Sequence, residues 1–92
     1  MLKDVIEVKA LENYQLFLRF EDGAQGTADI AKLVEFTGIF APLLDRIYFT
    51  RVYVDSELGT ICWPNRADID PDVLYSVVTG EPLPQFEKIY AQ

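Results

Sequence analysis

Residues 59–72 read Gly59-Thr60-Ile61-Cys62-Trp63-Pro64-Asn65-Arg66-Ala67-Asp68-Ile69-Asp70-Pro71-Asp72, and they hold the chain's only cysteine and only tryptophan. Three kinds of local structure follow one another here. Thr60 to Trp63 is a β-type segment, rich in β-branched and aromatic side chains. Pro64-Asn65 is a turn pair. Asp70-Pro71-Asp72 opens a helix: a carboxylate acceptor at the N-cap, a ring that needs no N–H at the first helical position, and a negative charge at the positive end of the helix dipole. A strand feeding a capped helix through a tight turn places the chain in the α+β class.

On the C-terminal side, Val73, Leu74, Val77 and Val78 make an apolar stripe at helical spacing, Gly80 stops it and Pro82 prevents resumption. The tail, residues 81–92, carries Leu83, Phe86, Ile89 and Tyr90 at spacings of three and four. Upstream, Val52 and Val54 alternate with Arg51 and Tyr53 as a fourth strand, Asp55 to Gly59 is a loop, and Ile47 to Phe49 is too short to assign. Pro42 sits near the start of a short helical turn carrying Phe40, Leu43 and Leu44. Asp29 is expected to cap a helix bearing Ile30, Leu33, Val34 and Phe36, with Gly38 as its stop.

The opening has period two. Ile6, Val8 and Ala10 alternate with Glu7 and Lys9, and Leu16, Leu18 and Phe20 alternate with Phe17 and Arg19. Leu11 to Tyr14 is the turn between them, with Asn13 suited to a left-handed backbone. Asp22-Gly23 predicts a two-residue hairpin into a third strand around Gln25 to Ala28. The expected architecture is a small antiparallel meander sheet of about five strands with two or three short helices. It forms a single domain over 1–92: a compact core over 1–80 and a tail over 81–92 that is a candidate interface through Phe86, Ile89 and Tyr90.

Half of the 92 residues are hydrophobic, which suits a folded domain with one modest core. No apolar run reaches the roughly 18 residues of a membrane span, and the N-terminus lacks a signal-peptide pattern. A lone cysteine makes no internal disulfide, so a cytoplasmic location is expected. The formal charge is −7 and uneven: residues 1–54 carry eight acids and six bases, residues 55–92 seven acids and two bases. Such a field disfavours phosphate backbones and anionic lipid, so no direct nucleic-acid binding and no membrane contact are expected. It favours a basic protein partner, and it also keeps a small protein soluble.

Catalytic chemistry is thin. With no histidine, no Ser-His-Asp or Cys-His constellation can be assembled. Cys62, set between Ile61 and Trp63, reads as a small buried hydrophobe. One cysteine and no histidine fall short of the usual zinc ligand set, so no metal is expected. Asp68, Asp70 and Asp72 imitate the start of a calcium loop. That loop needs glycine at its sixth position and glutamate at its twelfth; here these are Val73 and Thr79. Capping by Asp70 and Asp72, with turn hydrogen bonds from Asn65 and Asp68, is the expected role. The five glycines have no nucleotide-binding spacing, so no cofactor is expected. Trp63, Ile61, Leu74, Tyr75 and Val78 are expected to form the apolar heart of the C-terminal half.

The string Asp55…Gly59-Thr60-Ile61-x-Trp63-Pro64-Asn65-x-Ala67-Asp68-Ile69-Asp70-Pro71-Asp72-x-Leu74-Tyr75 resembles the hallmark of Domain of Unknown Function 2442, a family of small prokaryotic proteins. Leu16-x-Leu18-x-Phe20-x-Asp22-Gly23 and Asp29-Ile30-x-x-Leu33 are similar to the family's opening. The family usually has glycine after the asparagine, where this chain has Arg66, a departure that bears on whether the backbone is left-handed there. The resemblance implies a small α+β domain like the one that precedes a helix-turn-helix unit in some relatives; 92 residues leave no room for that unit. From relatives encoded beside small toxin-like proteins it also implies an antitoxin-like or regulatory role. It supplies no catalytic residues.

Two functions are therefore expected. The first is a non-catalytic protein-interaction or regulatory module, binding a small basic protein or itself as a homodimer. The second is a ligand-binding or carboxylate-based enzymatic domain with a pocket at the Trp63–Asp72 loop. The candidate functional loop is Trp63, Asn65, Arg66, Asp68 and Asp70.

Overall fold

The computed structural model describes residues 3–81. β1 (Val5–Ala10), β2 (Gln15–Phe20) and β3 (Gln25–Asp29) form an antiparallel sheet in the order β1-β2-β3. Leu16, Leu18 and Phe20 of the central strand have no solvent exposure, as their alternation requires. The chain then runs through one-turn helix α1 (Ile30–Leu33), a 3-10 segment (Gly38–Leu44) and one-turn helix α2 (Arg46–Phe49). A second antiparallel ladder, β4 (Tyr53–Asp55) with β5 (Thr60–Cys62), precedes α3 (Pro71–Thr79). The class is α+β, but the five strands divide three and two instead of sharing one sheet. β4 and β5 return beside β1, joined through the bond from the Val5 amide to the Gly59 carbonyl (3.0 Å), which does not extend into a ladder.

The plain alternation expected of β1 fails at one position. A bulge between Val5 and Glu7 changes the register against β2, so Val5 enters the core just before the change and Val8 and Ala10 pack against it after the change. Ile6, counted with the inward set, is extruded and half exposed. One extra residue reverses the facing of everything behind it, because side chains alternate with period two.

Both hairpins of the first sheet also refine the expected turns. Asn13 and Tyr14 both have φ +60, the left-handed pair of a two-residue turn, closed by Gln15 N–H donating to Glu12 O at 3.3 Å. The second loop holds three residues, Glu21 to Gly23, between the Phe20–Ala24 bond (2.8 Å) and the Arg19–Gln25 pair. Gly23 takes φ +93, the left-handed third position such loops need. Asp29 occupies the N-cap position of α1 but its side chain makes no cap bond, and the helix ends after one turn when Val34 becomes extended. Ile47 to Phe49 belongs to α2.

α3 follows its sequence cues. The Asp70 carboxylate accepts from the Asp72 amide (2.8 Å), and Gly80 closes the helix at φ +81. Leu74 is fully buried, and Tyr75 and Val78 pack against the core. The helix lies on β3 at Gly26, where a Cβ would stand only 3.1 Å from Val78 Cγ1. Tyr75 meets Phe20 edge to face, with ring centroids 5.0 Å apart. Among the described residues no helix is long and apolar enough to cross a membrane.

Candidate functional site: the Trp63–Asp72 loop and the segment it holds

Trp63 is the centre of the loop and is completely buried. Its indole Nε1–H donates to the Phe49 carbonyl at 3.0 Å, and its ring lies 5.9 Å from that of Phe49. Ile61, Ala67, Ile69 and Leu74 are buried with it. Thr60 seals the other side, its hydroxyl donating to Ile69 O at 2.5 Å. Trp63 therefore packs the core, and Pro64, Asn65, Arg66, Asp68 and Asp70 are what the loop presents to solvent.

Residues 64–66 form a second three-residue hairpin loop with the same bonding as residues 21–23. Trp63 N–H donates to Ala67 O (2.9 Å) as Phe20 N–H donates to Ala24 O (2.8 Å), and Arg66 N–H donates to Trp63 O (2.9 Å) as Gly23 N–H donates to Phe20 O (2.9 Å). The Asn65 side-chain Oδ1 accepts from the Ala67 amide (3.2 Å) as the Asp22 carboxylate accepts from the Ala24 amide (3.0 Å). Arg66, at φ +73, fills the position that Gly23 fills in the other loop. The left-handed backbone that glycine would supply is thus kept with an arginine in its place.

Asn65 does more than turn the chain. Its amide N–H donates to the Tyr48 hydroxyl (3.0 Å) and its Nδ2 donates to the Ile39 carbonyl (2.8 Å). These bonds fasten the loop to both ends of the 3-10 and α2 region. The expected bonds of Asn65 and Asp70 are present, whereas the part taken by Asp68 is a backbone bridge to Cys62. Cys62 is buried, and burial first, then the nearby charges of Asp68 and Asp55, push its thiol above the ordinary value. Such a thiol is a poor nucleophile at neutral pH. Among the described residues, no group of three or more Asp, Glu and Cys side chains is placed to hold a metal ion.

The segment held by Asn65 was not singled out by its sequence as a site. It exposes Ile39 (52%), Leu44 (60%) and Ile47 (77%) while Leu43 and Phe49 are buried. The available signal was the apolar runs Ile39-Phe40, Leu43-Leu44 and Ile47-Tyr48-Phe49. A one-turn helix buries one face, so neighbouring large residues cannot all enter the core. Tyr14 secures the far side: its hydroxyl donates to Leu44 O at 2.5 Å, and its ring packs edge-on to Phe36 (5.1 Å) and Phe49 (5.3 Å). Between the Tyr14 turn and α2 lies an open depression of about 380 Å³, lined by Leu11, Glu12, Asn13, Tyr14, Arg46, Phe49 and Thr50. The tail candidates Phe86, Ile89 and Tyr90 fall outside the described residues.

A small α+β domain built around a Trp-Pro-Asn hairpin with its tryptophan buried is the class that fold and loop define. Residues 5–80 match the family described as Protein of unknown function (DUF2442), and the chain belongs to that family. No curated protein and no solved structure matches it.

Proposed function

We propose that the domain is a non-catalytic protein-interaction or regulatory module whose binding edge is the 38–50 segment. One observation carries this reading: Ile39, Leu44 and Ile47 project into solvent from a stretch held down by Asn65 on one side and Tyr14 on the other. Three large apolar side chains exposed within nine residues of a small domain support an interaction site there. The chemistry of the loop supports the same reading. Trp63 is consumed by the core, Asn65 by three hydrogen bonds and Asp70 by a helix cap, and Cys62 is buried with a raised pKa. The acidic surface of residues 55–81 suits a small basic protein, as an antitoxin-like role would require.

Ile39→Asp and Leu44→Asp separate this reading from a ligand-binding one. The expected result is loss of protein capture from the native host at an unchanged melting temperature. A metal ion or metabolite that raises the melting temperature, with capture unaffected by both variants, would favour the ligand-binding domain instead.

A further inference from the structure

We infer that Asp22-Gly23 is a site of spontaneous covalent modification, the conversion of aspartate to isoaspartate, and that the Tyr75 hydroxyl holds it in check in the folded protein. The hairpin itself creates the reactive pair. The third position of the β2–β3 loop needs a left-handed residue, and Gly23 fills it at φ +93. Asp22 is thereby the one aspartate of the chain that precedes a glycine. Without a Cβ, glycine leaves its nitrogen open to approach by the preceding side chain. Both residues are exposed, and no atom lies within 4 Å of the place a Gly23 Cβ would take. Burial therefore does not shield the pair.

The reaction needs nothing but water. The Gly23 nitrogen attacks Asp22 Cγ and gives up its proton, the carboxyl releases one oxygen as water, and a five-membered cyclic imide closes. A second water reopens the ring. Where it cleaves the bond from the Gly23 nitrogen to the Asp22 backbone carbonyl carbon, the chain runs on through Cγ, one methylene longer, and the former backbone carbonyl becomes the pendant carboxylate.

Three hydrogen bonds oppose the first step. The Gly23 N–H is committed to Phe20 O at 2.9 Å. Asp22 Oδ1 accepts from the Ala24 amide at 3.0 Å and Oδ2 from the Tyr75 hydroxyl at 2.7 Å, so the carboxyl is held from both sides. Those two bonds, that of Tyr75 first, keep it below its ordinary 3.8, and a carboxylate must be protonated before its oxygen can leave as water. The first two bonds belong to the loop. The third comes from α3, 53 positions away, and exists only while α3 is docked. In the other hairpin Asn65-Arg66 holds the same two positions, and there the arginine side chain obstructs ring closure.

Peptide mapping with an isoaspartate-specific methyltransferase, after prolonged incubation at neutral pH, tests the inference. The native chain should accumulate isoaspartate at residue 22 more slowly than the chain unfolded in guanidinium chloride. Tyr75→Phe keeps the ring that meets Phe20 and should accelerate the native reaction by about tenfold, the loss of a hydrogen bond to a charged group read as a rate. Trp63→Phe lowers stability elsewhere with the Tyr75 bond intact, and its rate should stay near that of the wild type. Equal rates for wild type and Tyr75→Phe overturn the inference. So does Trp63→Phe reacting as fast as Tyr75→Phe, which would make global unfolding the route. Isoaspartate forming only at other aspartates overturns it as well.

Discussion

The Tyr75 hydroxyl donates to Asp22 Oδ2 at 2.7 Å, joining α3 to the β2–β3 loop across 53 positions of sequence. Each partner perturbs the other. The hydrogen bond from Tyr75 leads the causes that lower the Asp22 pKa below its ordinary 3.8, and the Asp22 carboxylate leads those that push Tyr75 up from 10 to about 12.

The pH dependence of stability follows with a definite sign. A depressed carboxyl stabilises the fold above its unfolded value, so the Asp22 contribution is complete above 3.8 and is lost as pH falls below it. A raised phenol stabilises below its unfolded value, so the Tyr75 contribution is complete below 10 and is lost as pH rises towards 12. Tyr75→Phe keeps the ring against Phe20 and removes the bond. Urea unfolding of both proteins should show a gap that is constant between these limits and closes outside them. A gap independent of pH would remove the pair from the account.

Trp63→Ala should cost about 3–5 kcal/mol, the range for deleting a buried large aromatic, because the indole is fully buried and bonded to Phe49 O. Trp63→Phe keeps most of the packing and removes the shorter of two bonds to that carbonyl, which still accepts from the Val52 amide at 3.4 Å, for about 0.5–1.5 kcal/mol. Denaturant midpoints equal to wild type would place Trp63 at the surface.

Asn65→Ala deletes two side-chain bonds, to Ile39 O and from Ala67 N–H, and should cost about 1–3 kcal/mol. Its sharper signature is local. Amide exchange should accelerate across residues 38–50 more than in β2, since the anchor of that segment is gone. Uniform acceleration would mean that Asn65 stabilises the whole domain and does not specifically hold the edge.

Arg66→Gly should stabilise the protein by about 0.5–1 kcal/mol. A left-handed non-glycine residue costs roughly 1–2 kcal/mol, and glycine returns roughly 0.5–1 kcal/mol of that as unfolded-chain entropy. Arg66→Val, β-branched at φ +73, should destabilise. A thermal melt ranking valine above glycine would contradict the hairpin equivalence with Gly23.

Cys62 in the native protein should resist thiol reagents at mildly alkaline pH and react on addition of denaturant, because burial both shields it and raises its pKa. Rapid native labelling would place the thiol in an open, electropositive setting.

Much was legible where the cause is local. The α3 caps at Asp70, Pro71 and Gly80 act within one turn, and the Leu16-Leu18-Phe20 alternation is enforced by a strand's own pleat. The burial of Trp63 and the family were readable from one continuous string. The bulge that extrudes Ile6, the division of five strands into two sheets and the left-handed Arg66 were decided by tertiary structure. For β1 the partner is distant, since β2 sets its register; for Arg66 it is the Trp63–Ala67 hairpin pair, whose closure forces a left-handed turn that an arginine does not itself prefer. The exposed apolar edge at residues 38–50 belongs with these. Composition fixes that residues 38–50 hold more apolar side chains than one short helix can bury. Only the packing of Asn65 and Tyr14 around them chooses which are buried and which, Ile39, Leu44 and Ile47, face solvent.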